Sequence, residues 1–129
     1  MTKQPRFTLA ATTLDAPDVR ELARFYRELL GWSTRREESD WIELAAPGSG
    51  AALSFQTEPR FTRPVWPAGP NDQQMMMHLE IEVDDLPSAV ERAIALGARE
   101  ADFQPQDDVR VLIDPAGHPF CLYVPDGGE

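Results

Sequence analysis

At 129 residues the chain can form one domain with a hydrophobic core, and its 42% hydrophobic and 26% charged residues point to a folded chain rather than a disordered one. With 22 acidic against 12 basic side chains the formal net charge is −10. That argues against a nucleic-acid partner and against docking on an anionic membrane, and it suits either a cationic ligand or plain solubility. No apolar run approaches the roughly 18 residues of a membrane span. Residues 1–14 lack the apolar core of a secretory signal, and Cys121 is the only cysteine. The reading is a cytoplasmic protein.

A strand is expected over Phe7–Leu14. Asp18 then has the character of a helix N-cap, with Glu21 at capping-box spacing. The helix runs from Val19 to Leu30, carries Leu22, Phe25, Tyr26, Leu29 and Leu30 on one stripe, and closes at Gly31. Arg20, Arg24, Arg27 and Glu28 fall on the other, solvated side. Strands follow at Trp32–Arg35, Trp41–Ala45 and Ala52–Gln56, with a Pro-Gly-Ser-Gly turn at 47–50. Pro59, Pro64, Pro67 and Pro70 then rule out a helix interior or a central strand, so this segment reads as a stiff crossover.

The pattern then repeats. A strand is expected at Met76–Val83, an N-cap at Asp85, and a helix over Leu86–Leu96 with Pro87 in its first turn and Gly97 at its end. Ala89, Val90, Ala93, Ile94 and Leu96 are the expected buried side. Strands follow at Arg99–Asp102, Val109–Ile113 and Phe120–Val124, the last two separated by the turn Asp114-Pro115-Ala116-Gly117. Leu14 and Ile81 stand 67 positions apart, and so do Asp18 and Asp85. The chain reads as α+β, a βαβββ unit used twice in one domain: module one at about 5–58, the crossover at 59–72 and module two at about 73–127.

Four stretches, taken in order, carry a family likeness: Leu14-Asp15-Ala16-Pro17-Asp18; Arg24-Phe25-Tyr26-Arg27-Glu28-Leu29-Leu30-Gly31-Trp32; His78-Leu79-Glu80-Ile81-Glu82-Val83-Asp84-Asp85; and Asp114-Pro115-Ala116-Gly117-His118-Pro119-Phe120. The chain resembles the vicinal oxygen chelate superfamily, in particular its glyoxalase-like and bleomycin-resistance-like members. The resemblance implies paired modules whose sheets curl around a shared cavity, and a homodimer. In metal-dependent members it implies one metal ligand on the first and last strand of each module. Matched residue by residue, those positions hold Ala11, Gln56, His78 and Cys121. One imidazole, one amide, one thiol and one methyl make a poor set for a hard divalent ion. A degenerate metal site and no cofactor are therefore expected; a divalent metal, if bound, would rest on His78, Gln56 and Cys121.

Strand alternation puts His78 and Glu80 on one face and Leu79, Ile81 and Val83 on the other, against the helices. His78 and Glu80 are thus expected to point into the cavity as candidates for acid–base work, or Glu80 only orients His78, or both meet solvent. Cys121 and Tyr123 share a face and are expected to face the cavity; Cys121 reads either as a nucleophile or as a small hydrophobe, and Tyr123 as a hydrogen-bond donor to a ligand or as the closed end of the pocket. Trp66, on the stiff crossover, is a lid over a ligand or a plug, and Trp41 is core or cavity wall. Met75–Met77 offer an adaptable apolar rim. His118 reads as part of a turn, and Arg110, flanked by Asp107 and Asp108, as a local salt bridge or a contact for an anionic ligand. Three functions follow: binding of a small molecule without catalysis, a glyoxalase-like lyase or isomerase, or a dimeric interaction module.

Overall fold

The computed structural model describes residues 4–125; residues 1–3 and 126–129, including the expected end of module two at 127, lie outside it. Module one runs β1 (Ala11–Ala16), α1 (Val19–Leu30), β2 (Ser33–Glu38), β3 (Trp41–Ala45) and β4 (Ala52–Thr57). Module two runs β5 (Leu79–Glu82), α2 (Leu86–Leu96), β6 (Arg99–Glu100), β7 (Val109–Ile113) and β8 (Pro119–Tyr123). Each module forms its own four-stranded sheet, ordered β1-β4-β3-β2 and β5-β8-β7-β6. In both, the first strand pairs parallel with the last, Leu14 beside Phe55 and Glu80 beside Cys121. The expected βαβββ repeat is therefore present, as two separate sheets that do not close into one; β1 and β5 each lie at a sheet edge.

The helix ends follow their sequence signals. Asp18 accepts from the backbone N–H groups of Arg20 and Glu21, and Asp85 from that of Ser88. Gly31 closes α1 with φ 71°, a left-handed conformation that glycine adopts without strain. The buried face of α1 reaches both sheets: the Tyr26 ring stacks on Phe55 of β4 at 5.9 Å and meets Phe120 of β8 at 6.0 Å. One core joins the modules through α1, with Leu22, Ile42, Leu44, Phe55, Leu112 and Leu122 in it. Full burial of such side chains stabilises by roughly 1.5–3 kcal/mol each.

Three expectations shift. The opening strands are shorter than the hydrophobic runs, because β4 pairs β1 only from Ala11 onward and β8 pairs β5 only from Leu79 onward. Ile94 is 45% exposed, on the outer side of α2 rather than in the core. Arg110 meets Glu100 on the adjacent strand at 3.5 Å and the Gln106 and Val109 carbonyls, rather than Asp107 or Asp108.

A buried carboxylate holds the turn before β8. Asp114 accepts three backbone N–H bonds, from Ala116, Gly117 and His118, on Oδ1, and the Tyr26 hydroxyl on Oδ2 at 2.7 Å. Burial pushes the Asp114 carboxyl up, against the nearby His118 and these hydrogen bonds. Tyr26 is also raised well above its ordinary value, by burial and by Asp114, so it stays a neutral donor.

Candidate functional site

β5 presents its residues as the alternation requires: Leu79 and Ile81, with Val83 just beyond, pack on the core, and Glu80, with His78 just before the strand, turns to the opposite face. His78 Nε2 and Glu80 Oε2 are 2.5 Å apart, with the two side chains 33% and 52% exposed. Glu80 is level with Cys121 on β8, and ligand atoms of His78, Glu80 and Cys121 all lie within 4.8 Å of one another. Burial first, and then Glu80, push the Cys121 thiol up to about 11. At neutral pH it is a protonated thiol, which is a weak nucleophile. Tyr123 sits on the same face, level with Glu82.

Trp66 packs on the patch formed by Ala101, Val111 and Ile113, which Cys121 also borders, and leans on Phe103 at 5.7 Å between ring centroids. The crossover thereby covers part of the face that bears Cys121. Module one's equivalent face is polar instead. Arg35 binds Glu43 through Nε at 2.6 Å, Ser54 donates to Glu43 at 3.3 Å, and the Glu43 carboxyl is lowered, chiefly by Arg35. Trp41 and Gln56 lie side by side on β3 and β4 and line an open depression with Arg36, Glu38 and Asp40. Gln56 is therefore on a different sheet from Cys121.

Between the free edges of β1 and β5, under the crossover, lies a cleft of about 510 Å³. Leu14, Phe61, Pro64 and Met75 give it apolar surface; Asp15, Glu58, Arg60, His78 and His118 give it charge. His118 is held by contact with the Asp15 carbonyl at 2.7 Å and by an edge contact with Phe61 at 5.4 Å. Of the residues singled out from sequence as ligand-binding, the cleft contains His78 alone; it also takes in the Met75–Met77 rim. Asp15, Glu58 and His118 line the cleft without having been marked by the sequence pattern. Only the proximity of the two sheet edges brings them together, and the repeat period carries no sign of that.

A glyoxalase-like domain model matches residues 11–123. The chain belongs to the glyoxalase-like domain family. Its fold is similar to that of a glyoxalase-related enzyme from Fulvimarina pelagi, at 22% identity and TM-score 0.65 over 92% of this chain and 88% of that one. A glyoxalase family protein from Enterococcus faecalis matches at 21% identity and TM-score 0.65, over 90% and 96%. A bleomycin-binding protein from Streptomyces verticillus, solved with copper(II)-bleomycin, matches at 17% identity and TM-score 0.57, over 95% and 100%. No curated protein matches the sequence significantly.

The metal arrangement of metal-dependent family members does not fit these residues. Ala11 offers a methyl group and Gln56 is an exposed neutral amide, so two of the four matched positions contribute no charged donor. Among the described residues, the one group of three ionisable donors close enough to share an ion is His78, Glu80 and Cys121, all within module two.

Proposed function

We propose that this chain is a single-domain small-molecule-binding protein of the glyoxalase and bleomycin-resistance type, acting as a homodimer, with a degenerate metal site. The observation that carries the reading is the cleft of about 510 Å³ between β1, the crossover and β5, a size suited to a drug-like ligand. Its apolar wall and its two carboxylates, Asp15 and Glu58, suit a ligand with an aromatic body and a positive charge. His78, backed by Glu80, gives one oriented polar contact at the mouth. Trp66, Cys121 and Tyr123 form the adjoining face, and Trp41 and Gln56 the corresponding face of module one.

Titration with copper(II)-bleomycin and with cationic aromatic compounds, followed by tryptophan fluorescence and calorimetry, tests this reading. Binding that weakens about tenfold in Asp15→Asn and in His78→Ala supports it. No binding by any member of such a panel, at concentrations well above those that saturate a micromolar site, overturns it.

The 2.5 Å contact between His78 and Glu80 favours a second reading, a lyase or isomerase in which this pair moves a proton next to a substrate carbonyl. A divalent ion on His78, Glu80 and Cys121 would supply Lewis-acid polarisation of that carbonyl. Elemental analysis of untagged protein after exposure to Zn²⁺, Ni²⁺, Mn²⁺ and Fe²⁺ separates the readings. One equivalent of metal, lost in His78→Ala, would favour the enzyme. No retained metal, together with no activity that depends on His78, would remove it.

A further inference from the structure

Met75, Met76 and Met77 line the cleft in succession just before His78. Any aliphatic side chain would give that rim an apolar surface; a thioether adds a sulfur that an oxidant can attack. Met76 is 81% exposed and Met77 76%, whereas Met75 is half-buried. The backbone holds them there. The Met77 N–H donates to the Met75 carbonyl at 2.7 Å and closes a three-residue turn with Met76 at its tip, at φ 64°. That left-handed conformation is strained for a residue with a Cβ, and strain of this kind gathers where a ligand is gripped or a switch is set. We infer that Met76 and Met77 are a modification site, at which oxidation to sulfoxides by a hydroperoxide shuts the cleft to its ligand. The inference rests on the small-molecule-binding reading of that cleft.

The reaction needs only the thioether and the peroxide. The sulfur lone pair attacks one peroxide oxygen, so that an S–O bond forms as the O–O bond breaks. Sulfur is oxidised by two electrons and the peroxide is reduced by two; the departing hydroxide or alkoxide takes the proton of the transferred oxygen and leaves as water or alcohol. A flexible apolar side chain thereby becomes a polar one. An aromatic ligand body seated on the rim would then strip water from the sulfoxide oxygen and return no hydrogen bond, and it would lose the contact of sulfur with its ring. The fold is spared, because neither Met76 nor Met77 packs in the hydrophobic core. Cys121 is half-buried and does not line the cleft, so its oxidation would not have this effect. A thiol-dependent sulfoxide reductase would reopen the site.

Graded hydrogen peroxide, peptide mass spectrometry and titration with two probes, the cationic aromatic dye ethidium and copper(II)-bleomycin, test this on the full chain, with circular dichroism to confirm that each sample is folded. Met76 and Met77 are expected to gain one oxygen each several-fold faster than Met75, and the oxidised protein to bind a probe about tenfold more weakly than the reduced one. Met76→Gln with Met77→Gln puts a polar side chain in place of each thioether and should weaken binding to a similar degree without peroxide. In Met76→Leu with Met77→Leu, peroxide should no longer change the affinity, whatever its starting value. A probe that binds reduced and oxidised protein equally, or oxygen that goes to Met75 or Cys121 first, overturns the inference and leaves the binding reading in place. If neither probe binds the reduced protein, the binding reading fails and this inference with it.

Discussion

α1 and α2 hold equivalent places 67 residues apart, each capped by an aspartate and closed by a glycine, yet Val19, Leu22, Ala23, Phe25 and Tyr26 of α1 are buried and only Ala93 of α2 is. The difference lies in what surrounds each helix. α1 packs on its own sheet and also meets Phe120 of the other, whereas α2 packs on β6, β7, β8 and α1. The outward faces differ too: module one's has the Arg35–Glu43–Ser54 network, and module two's is partly covered by Trp66. A repeated sequence pattern thus preserves capping, register and strand order, while burial depends on the neighbours that each copy acquires.

Substitutions should expose this asymmetry. Phe25→Ala is expected to lower the unfolding free energy by about 3–5 kcal/mol in chemical denaturation, because Phe25 packs against Tyr26 and Phe120 at the junction of both modules. A cost near 1 kcal/mol would mean that α1 does not join them.

Asp114→Ala is expected to cost about 3 kcal/mol, since it leaves the Tyr26 hydroxyl, two buried N–H groups and one half-buried N–H without their partner. Asp114→Asn keeps the acceptor Oδ1 and isolates the titration. Because burial raises the carboxyl in the folded state, the folded chain binds the proton more tightly than the unfolded chain does. The contribution of Asp114 is therefore fully present below its ordinary 3.8 and is lost as pH rises through the raised folded value. Wild-type stability measured against Asp114→Asn should fall with rising pH over that window and then level off. A rise over the same window would reverse the sign assigned here.

Cys121 sharpens the contrast at the outward faces. With its thiol near 11, it should react with iodoacetamide at neutral pH roughly a hundredfold more slowly than an unhindered cysteine. Glu80→Gln should recover part of that rate, and mass spectrometry over a time course would show whether it does. At the small end, Ile94→Ala on the exposed side of α2 should change stability by less than about 0.5 kcal/mol, read from the same denaturation curves.

Both helices, their caps and the βαβββ order were legible in the sequence, because apolar spacing and capping residues are local signals. The lengths of β1 and β5 were not: Phe7 and Leu9 extend the hydrophobic pattern, but β4 offers Ala11 the first pairing partner. Asp114 read as a turn residue, and its turn is real, but its bond to Tyr26 spans 88 positions and leaves no local trace. Alternation correctly grouped His78 with Glu80 and Cys121 with Tyr123. The cleft, by contrast, arises where two sheet edges and the crossover meet, so Asp15, Glu58 and His118 carried no common signal.

The tie between Tyr26 and the Asp114–Phe120 segment also bears on the order of events at the ribosome. The apolar stripe of α1 is synthesised early, but two of the groups that cover it, Asp114 and Phe120, emerge about ninety residues later. At roughly 5–20 residues per second, that leaves the stripe waiting on the order of 4–18 s after its own synthesis. Throughout that interval the α1 stripe lacks two of the groups that cover it in the finished fold.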